Sequence, residues 1–453
     1  MSKFQDIDNT EVFKQPILEA ETVPDRHEAR FVVEVISQMD LSAFEDAYKG
    51  CGRKPYAPAM MLSLLIYGYL TGVFSSRRIE TATYDSIAFR FIAGNTHPDH
   101  ASIAGFRKRF QEQFASVFQK VLEYAHALQL VKLGQVSVDG TKIHANASKH
   151  SALSYGHILK LEEQLSRQVR ELMAQADKAD NKDRPGLINY QSEISRRQDI
   201  QSEIAKAKAV IEERAAVRYT REVAAHEALL AKRAAKALKD GKKHGGKPPT
   251  PPTPGARARD QVNLTDEESR IMPVSGGGFE QAYNAQAAVD VTTMIIVATT
   301  VSQAPNDMGQ VVPMLEALAK VPEALGTVAV FIADTGYCSA ANVDACNAAS
   351  IEPVIASQRE KHHPESATER FDEPPPLPEG ATPMEKMNHT RKTKKGRAVY
   401  ALRKQTVEPV FGIIKSIMRF RQFSMRGLSA ARNEWQLVCL SWNIKRMAVL
   451  RLA

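Results

Sequence analysis

Two apolar runs rich in β-forming residues each end abruptly in an aspartate: Val136-Ser137-Val138 before Asp139, and Val328-Ala329-Val330-Phe331-Ile332-Ala333 before Asp334. Short runs rich in Val, Ile and Phe form buried strands, and an acid at the exit of each puts a charge where the strand leaves the core. They stand far apart in the chain, so the fold has to bring them together around whatever separates them. If the two strands lie side by side, their ends bring Asp139 and Asp334 together.

Composition marks the interruption. From Ser154 to about Lys239 the chain is mostly Glu, Gln, Arg, Lys and Ala, with Leu161, Leu165, Leu172, Ile194, Ile204 and Ile211 as apolar marks. This predicts two long antiparallel helices with a narrow apolar seam, broken at Asp183-Arg184-Pro185-Gly186. Gly241 to Pro254 has the Gly, Lys and Pro content of a linker. We read 150–260 as an insertion, serving as spacer, dimer contact or DNA contact.

After the linker the pattern is of strands. Ala285–Val291, a Thr292-Thr293 turn and Met294–Val301 predict a hairpin, with Asp290 as a turn residue. A helix from Asp307 to Lys320 is expected next, capped by Asn306 or Asp307. The strand 328–333, a helix from Ser339 to Ala349 and a strand through Val354-Ile355 follow. With 135–139 these make a mixed five-stranded sheet with helices, of α/β class. A loop (Pro374-Pro375-Pro376, Pro378) and a final pair of helices end the chain. The second helix, with Trp435, Val438, Cys439, Trp442 and Met447, reads as cover for the sheet. Asn284 and Gln286 either approach the site or pair at a sheet edge.

Residues 28–130 read as helical. Met61, Leu62, Leu65 and Tyr69 share a buried stripe, Pro58 suits a helix start and Gly72 a stop. A helix from Ser75 or Ser76 carries Arg77 and Arg78, and another after Asn95–Asp99 carries Arg107, Lys108 and Arg109. Short helices with exposed arginines suit either a DNA-reading helix-turn-helix or a packed bundle. His97 and His100 flank a turn that Asp99 or Ser102 caps; no further ligands stand nearby for a metal.

Basicity is local. Between Lys386 and Arg432 there are 13 Lys and Arg and a single acid, Glu408, a charge of +12 against +8 for the whole chain. A concentrated cationic strip favours a polyanionic partner, and a lone carboxylate within it suits a metal ion held against that partner. Within the strip, Arg391-Lys392-Thr393-Lys394-Lys395-Gly396-Arg397 reads as a loop of phosphate contacts. Arg419, Arg421 and Arg426, interleaved with Phe420 and Phe423, either grip distorted DNA or flank packed aromatics. Glu408 and Lys415 are about two helical turns apart and share a face. Pro409 either starts that helix or kinks it. The cysteines Cys51, Cys338, Cys346 and Cys439 form no close pair, and the first residues carry no apolar leader, so a cytoplasmic chain with reduced thiols is expected.

Four stretches resemble bacterial insertion-sequence transposases of the DDE class: Val138-Asp139-Gly140-Thr141-Lys142, Tyr283 to Asp290, Ala333-Asp334-Thr335-Gly336-Tyr337 and Thr406 to Lys415. Tyr67-Gly68-Tyr69-Leu70 and Ser75-Ser76-Arg77-Arg78 look like that family's N-terminal DNA-binding domain. The resemblance implies an N-terminal helical DNA-binding domain (1–130) and an RNase H-like catalytic domain (131–453) interrupted by the insertion. It implies that Asp139, Asp334 and Glu408 hold two Mg²⁺ ions, with Mn²⁺ as a substitute. It also implies a helix motif of Tyr400, Arg403, Glu408 and Lys415, in which Lys404 fits the familiar spacing better than Arg403. Other implied DNA contacts are Arg77, Arg78, Arg107, Lys108, Arg391, Lys394, Lys395 and Arg421. The expected partners are double-stranded DNA, both terminal inverted repeats and target, and a second copy of the chain on that DNA, near the bacterial nucleoid and away from membrane. Two rivals stand beside this: a nuclease that cuts without joining, and a catalytically silent repeat-binding regulator.

Overall fold

The computed structural model describes residues 23–48, 54–180, 189–240, 247–274, 276–357 and 373–452. Cys51, the Asp183 to Gly186 break and the linker stretch 241–246 lie outside the described residues. Contacts divide the chain into two compact units, Met1–Asn146 with Ile271–Ala453, and Ala147–Arg270.

Helices open the first unit: α1 (Glu28–Ser37), α2 (Ser42–Glu45), α3 (Pro58–Thr71), α4 (Ser76–Asp85), α5 (Ile87–Ile92), α6 (His100–Arg109) and α7 (Phe114–Ala127). In α3, Met60–Leu70 is buried all round, as expected of a helix whose apolar residues are not confined to one face. Pro58 opens it, and Gly72 closes it at φ +81°, a conformation that costs glycine nothing. Asp99 caps α6 by accepting from Ser102 N, while His97 stacks on Tyr84 and His100 bonds to Glu80. Those histidines are thus committed to the helical packing.

The first strand, β1 (Gln135–His144), leads to the second unit, built from β2 (Ala152–Ser154), α8 (Tyr155–Asp180), α9 (Tyr190–Asp240) and β3 (Gln261–Asn263). Ile158, Leu165, Ile204, Ala207, Ile211 and Val262 form its apolar seam, the narrow stripe the sequence suggested. The main sheet resumes with β4 (Arg270–Pro273), β5 (Phe279–Asp290) and β6 (Ile296–Ser302). It continues through α10 (Val311–Leu318), β7 (Val330–Ala333), α11 (Ala340–Ala348) and β8 (Glu352–Ile355). The strand order is β4-β5-β1-β7-β8, with β6 also paired to β5, in a mixed RNase H-like sheet flanked by helices. Asp290 holds the β5–β6 turn, accepting from the Thr292 and Thr293 amides and the Thr293 hydroxyl.

Four expectations need correcting. The first strand, expected over 135–139, continues to His144, because the residues after Asp139 still pair with the long β5. The main sheet has six strands among the described residues, because the short run Arg270–Pro273 pairs with the long β5. Helix α10 starts at Val311 behind Gln310, because the Asp307 carboxylate is already taken by Asn284 and Gln286. The end of the chain holds three helices: α12 (Pro383–Lys392), α13 (Lys394–Ser416) and α14 (Leu428–Leu450). The basic run 391–397, expected to be a loop, is the corner between the first two. Thr382 and Glu385 form a capping box that starts α12, and the Thr393 hydroxyl accepts from Gly396 N to start α13 at once. Lysine and arginine are good helix formers, so two caps suffice to make that run helical.

Helix α14 is buried along most of its length and packs against α3, α7 and β6. Glu434 lies at that junction, fully buried. It accepts from Tyr69 Oη at 2.6 Å, Ser424 N at 2.9 Å and Met425 N at 3.1 Å, and Arg107 donates to the same Tyr69 hydroxyl at 3.3 Å. Among the described residues no single helix is long and apolar enough to cross a membrane.

Candidate active site

Strand pairing sets the two aspartates. β1 and β7 run parallel with Ser137 opposite Ile332, and Asp139 and Asp334 each follow two positions later. Side chains two apart point to the same face, so both carboxylates leave the sheet on one side, Asp139 from within β1 and Asp334 from just past the end of β7. Asp139 Oδ1 accepts from Gly140 N and Asp334 Oδ1 from Gly336 N, each at 2.8 Å. Burial pushes Asp139 up to about 6, and the charges of Asp334 and Asp307 add to this against the opposing Gly140 amide and Arg403.

The third acid arrives on α13, which runs through Pro409 without ending. Tyr400, Arg403 and Glu408 therefore share one helix. Arg403 Nη1 lies 3.2 Å from Asp139 Oδ2 and its Nη2 lies 2.8 Å from Glu408 Oε1, so one guanidinium joins the strand acid to the helix acid. Lys404 is exposed. Of the two cations the sequence left open, Arg403 is the one that reaches the carboxylates. Its Nε is buried and has no hydrogen-bond partner among the described residues. Tyr400 packs on Val330, Ile332 and Val354, beneath the Arg391 guanidinium.

A fourth carboxylate, Asp307, went unrecognised in the sequence except as a helix cap. Its Oδ1 accepts from Asn284 Nδ2 at 2.7 Å and Gln286 Nε2 at 2.6 Å, and Lys142 Nζ lies 3.5 Å away. Tyr337 Oη donates to Gln286 Oε1, which closes a buried polar network. Gly140 makes room for it: a Cβ there would collide with Gln286 Nε2 and lie 2.6 Å from Asp307 Oδ1. The only sequence sign was two buried amides on one face of β5, opposite Lys142 and Gly140.

The expected DNA contacts separate. Arg77, Arg78, Lys108, Lys394, Lys395 and Arg421 are exposed. Arg391 is buried, and Arg107 is half-buried, donating to Tyr69 Oη and Phe74 O. Lys415 is half-buried and donates to the Lys142 carbonyl at 3.2 Å. Phe420 and Phe423 are fully buried, packed edge-on with each other and, through Phe420, with Phe74. They are core residues and leave no face on which a base could stack.

In kind, these donors fit a hard divalent cation: they are carboxylate oxygens, and the acidic neighbours that help burial raise Asp139 are charges a cation would neutralise. In arrangement, no group of three or more His, Cys, Asp or Glu among the described residues stands ready to hold a metal. Arg403 supplies the cation between Asp139 and Glu408.

A mixed RNase H-like sheet with acids in register on adjacent central strands, and a helix bringing a further acid, defines a class of phosphodiester-processing domains. Residues 252–444 match the family described as Transposase DDE domain, and residues 19–109 match the family described as Transposase domain (DUF772). The chain carries a DDE-type transposase domain behind an N-terminal transposase domain. Asp139, on β1, lies outside both matched segments, whereas Asp334 and Glu408 lie inside the second. No curated protein and no solved structure gives a match.

Proposed function

We propose that this protein is a DNA transposase that binds the terminal inverted repeats of its own element, hydrolyses phosphodiester bonds at the ends and joins the freed 3′-OH to target DNA. The observation that carries this reading is the register of Asp139 and Asp334 on the adjacent parallel strands β1 and β7, with Glu408 tied to Asp139 through Arg403. In this reading Asp139, Asp334 and Glu408 hold two Mg²⁺ ions, which when bound would activate an attacking oxygen and stabilise the leaving one.

The remaining chemistry belongs to the chain. Arg403 orients Glu408 toward Asp139 by contacting both carboxylates with its two terminal nitrogens. Lys415 lies on the same helix as Glu408 and fixes the backbone at Lys142. Lys394, Lys395 and Arg421 offer exposed charge for the DNA backbone, while Arg77, Arg78 and Lys108 offer it on the N-terminal helices. Both steps are in-line attacks at phosphorus, so one site serves water and a DNA hydroxyl in turn. Holding two ends together calls for a second copy of the chain on DNA.

The test replaces Asp139, Asp334 and Glu408 singly by Ala and follows binding, nicking and joining of repeat-bearing DNA with Mg²⁺. Each variant should bind within a few-fold of wild type and form neither nicked nor joined product. Retained metal-dependent cutting by one variant refutes that residue's role. Nicks without joined product from wild type would favour a nuclease, and binding without either product a regulator.

A further inference from the structure

Lys142 stands three residues beyond Asp139 on β1, with its side chain 15% exposed. Its ammonium sits 3.5 Å from Asp307 Oδ1, and Asp139 and Asp334 also attract it. The Asp307 carboxylate cannot drift, because the Asn284 and Gln286 amides grip the same oxygen and Tyr337 in turn grips Gln286. Three side chains and a glycine therefore fix the place of one cation. On its other side the setting is positive: Lys415 Nζ bonds the Lys142 carbonyl, and Arg421 Nε bonds the Lys415 carbonyl at 3.0 Å. Lys142, Lys415 and Arg421 thus form a linked series of cations that starts beside the aspartates. Bringing a lysine so far out of water is unfavourable, and burial does lower its pKa.

We propose that Lys142 contacts a backbone phosphate of the DNA at the edge of the Asp139–Asp334 site, and that Asp307 is the positioning residue that holds it there. This rests on reading the site as one that processes DNA. A phosphate is the fitting ligand because it is anionic, lines up with the next cations in the series, and is met by lysine as a compact point charge. Asn284, Gln286 and Gly140 serve the same end indirectly, by fixing Asp307.

The test uses the full chain, without divalent metal, and duplex DNA of arbitrary sequence, following affinity by fluorescence anisotropy across a range of salt. Each phosphate contact contributes about one to the slope of log affinity against log salt, so Lys142→Ala should lower that slope by about one. Lys142→Arg should restore it. Asp307→Asn should weaken binding several-fold in the wild-type background and add nothing in the Lys142→Ala background. Unchanged slope in a Lys142→Ala chain that melts like wild type overturns the proposal, as does full additivity of the two substitutions. If Asp307→Asn does not fold, the Lys142→Ala and Lys142→Arg slopes decide alone. A wild type that binds DNA but never cuts it sinks the transposase reading, while the slopes still settle Lys142; a wild type that binds no DNA sinks both.

Discussion

Asp139, within β1, and Asp334, just past the end of β7, lie in register on two parallel strands that pair directly, and the charge of Asp334 is among the causes that, after burial, raise Asp139 to about 6. A carboxyl whose folded pKa lies above its ordinary 3.8 gives most stability below pH 4, where both states are protonated, and loses it as pH rises through 6. Replacing Asp139 by Asn should therefore raise the melting temperature at pH 8 and leave it nearly unchanged at pH 4. The difference approaches about 3 kcal/mol at most, since each pH unit between 3.8 and about 6 is worth roughly 1.4 kcal/mol. Thermal melts of both proteins across pH, in chelator, would check this; equal gains at pH 4 and 8 would contradict it.

Arg403 and Lys404 offer a direct contrast. Arg403 spans Asp139 and Glu408, whereas Lys404 faces solvent. Arg403→Ala should lower the cutting rate by about 10²–10³, the scale for loss of one preorganised donor. Arg403→Lys should recover only part of this, since an ammonium cannot reach two carboxylates as a fork does. Lys404→Ala should stay within a few-fold of wild type. Single-turnover cleavage measures all three, and a larger loss for Lys404→Ala would reverse the assignment.

Gly140 is expected to tolerate no side chain. A Cβ would push against Gln286 Nε2 and stand 2.6 Å from Asp307 Oδ1 and 2.9 Å from Asn284 Oδ1. Gly140→Ala should cost about 1–3 kcal/mol, as overpacking does. It should also slow cutting beyond what the stability loss explains, because the groups displaced are those that fix Asp307. Denaturant unfolding and cleavage rates on the same preparation separate the two effects.

Glu434 should be the most sensitive buried acid outside the site. Glu434→Ala would leave Tyr69 and two backbone amides without their acceptor and Arg107 without a nearby negative charge, at a cost of about 3–5 kcal/mol. Tyr69→Phe removes one hydroxyl from the same network and should cost only about 1 kcal/mol. Chemical denaturation midpoints would rank them.

Much of the fold was legible because it rests on local pattern. The Asp139 and Asp334 strands, the β5–β6 hairpin and the helical insertion carry their periodicity and turn residues in the sequence. What escaped depended on contacts between distant segments. Asp307 reads as a helix cap until Asn284 and Gln286, on a different strand, are seen to hold it. Arg107 reads as a DNA contact until Glu434 and Tyr69 engage it, and Phe420, open between DNA stacking and core packing, is settled as core only by Tyr69 and Phe74. Arg391 to Arg397 read as a loop because charge dominates that run, while its caps, Thr382 and Thr393, look like ordinary polar residues. Pro409 left two helix geometries open, and only the tertiary arrangement selects the continuous one.

The Glu434 network also bears on how such a chain can be dissected or recombined. Because α3 and α14 share a buried acid and an aromatic cluster, the amino-terminal helices and the last helix complete one interior. Splitting the protein ahead of β1 would open that interior on both fragments, so chimaeras should keep the amino-terminal helices and α14 from one parent.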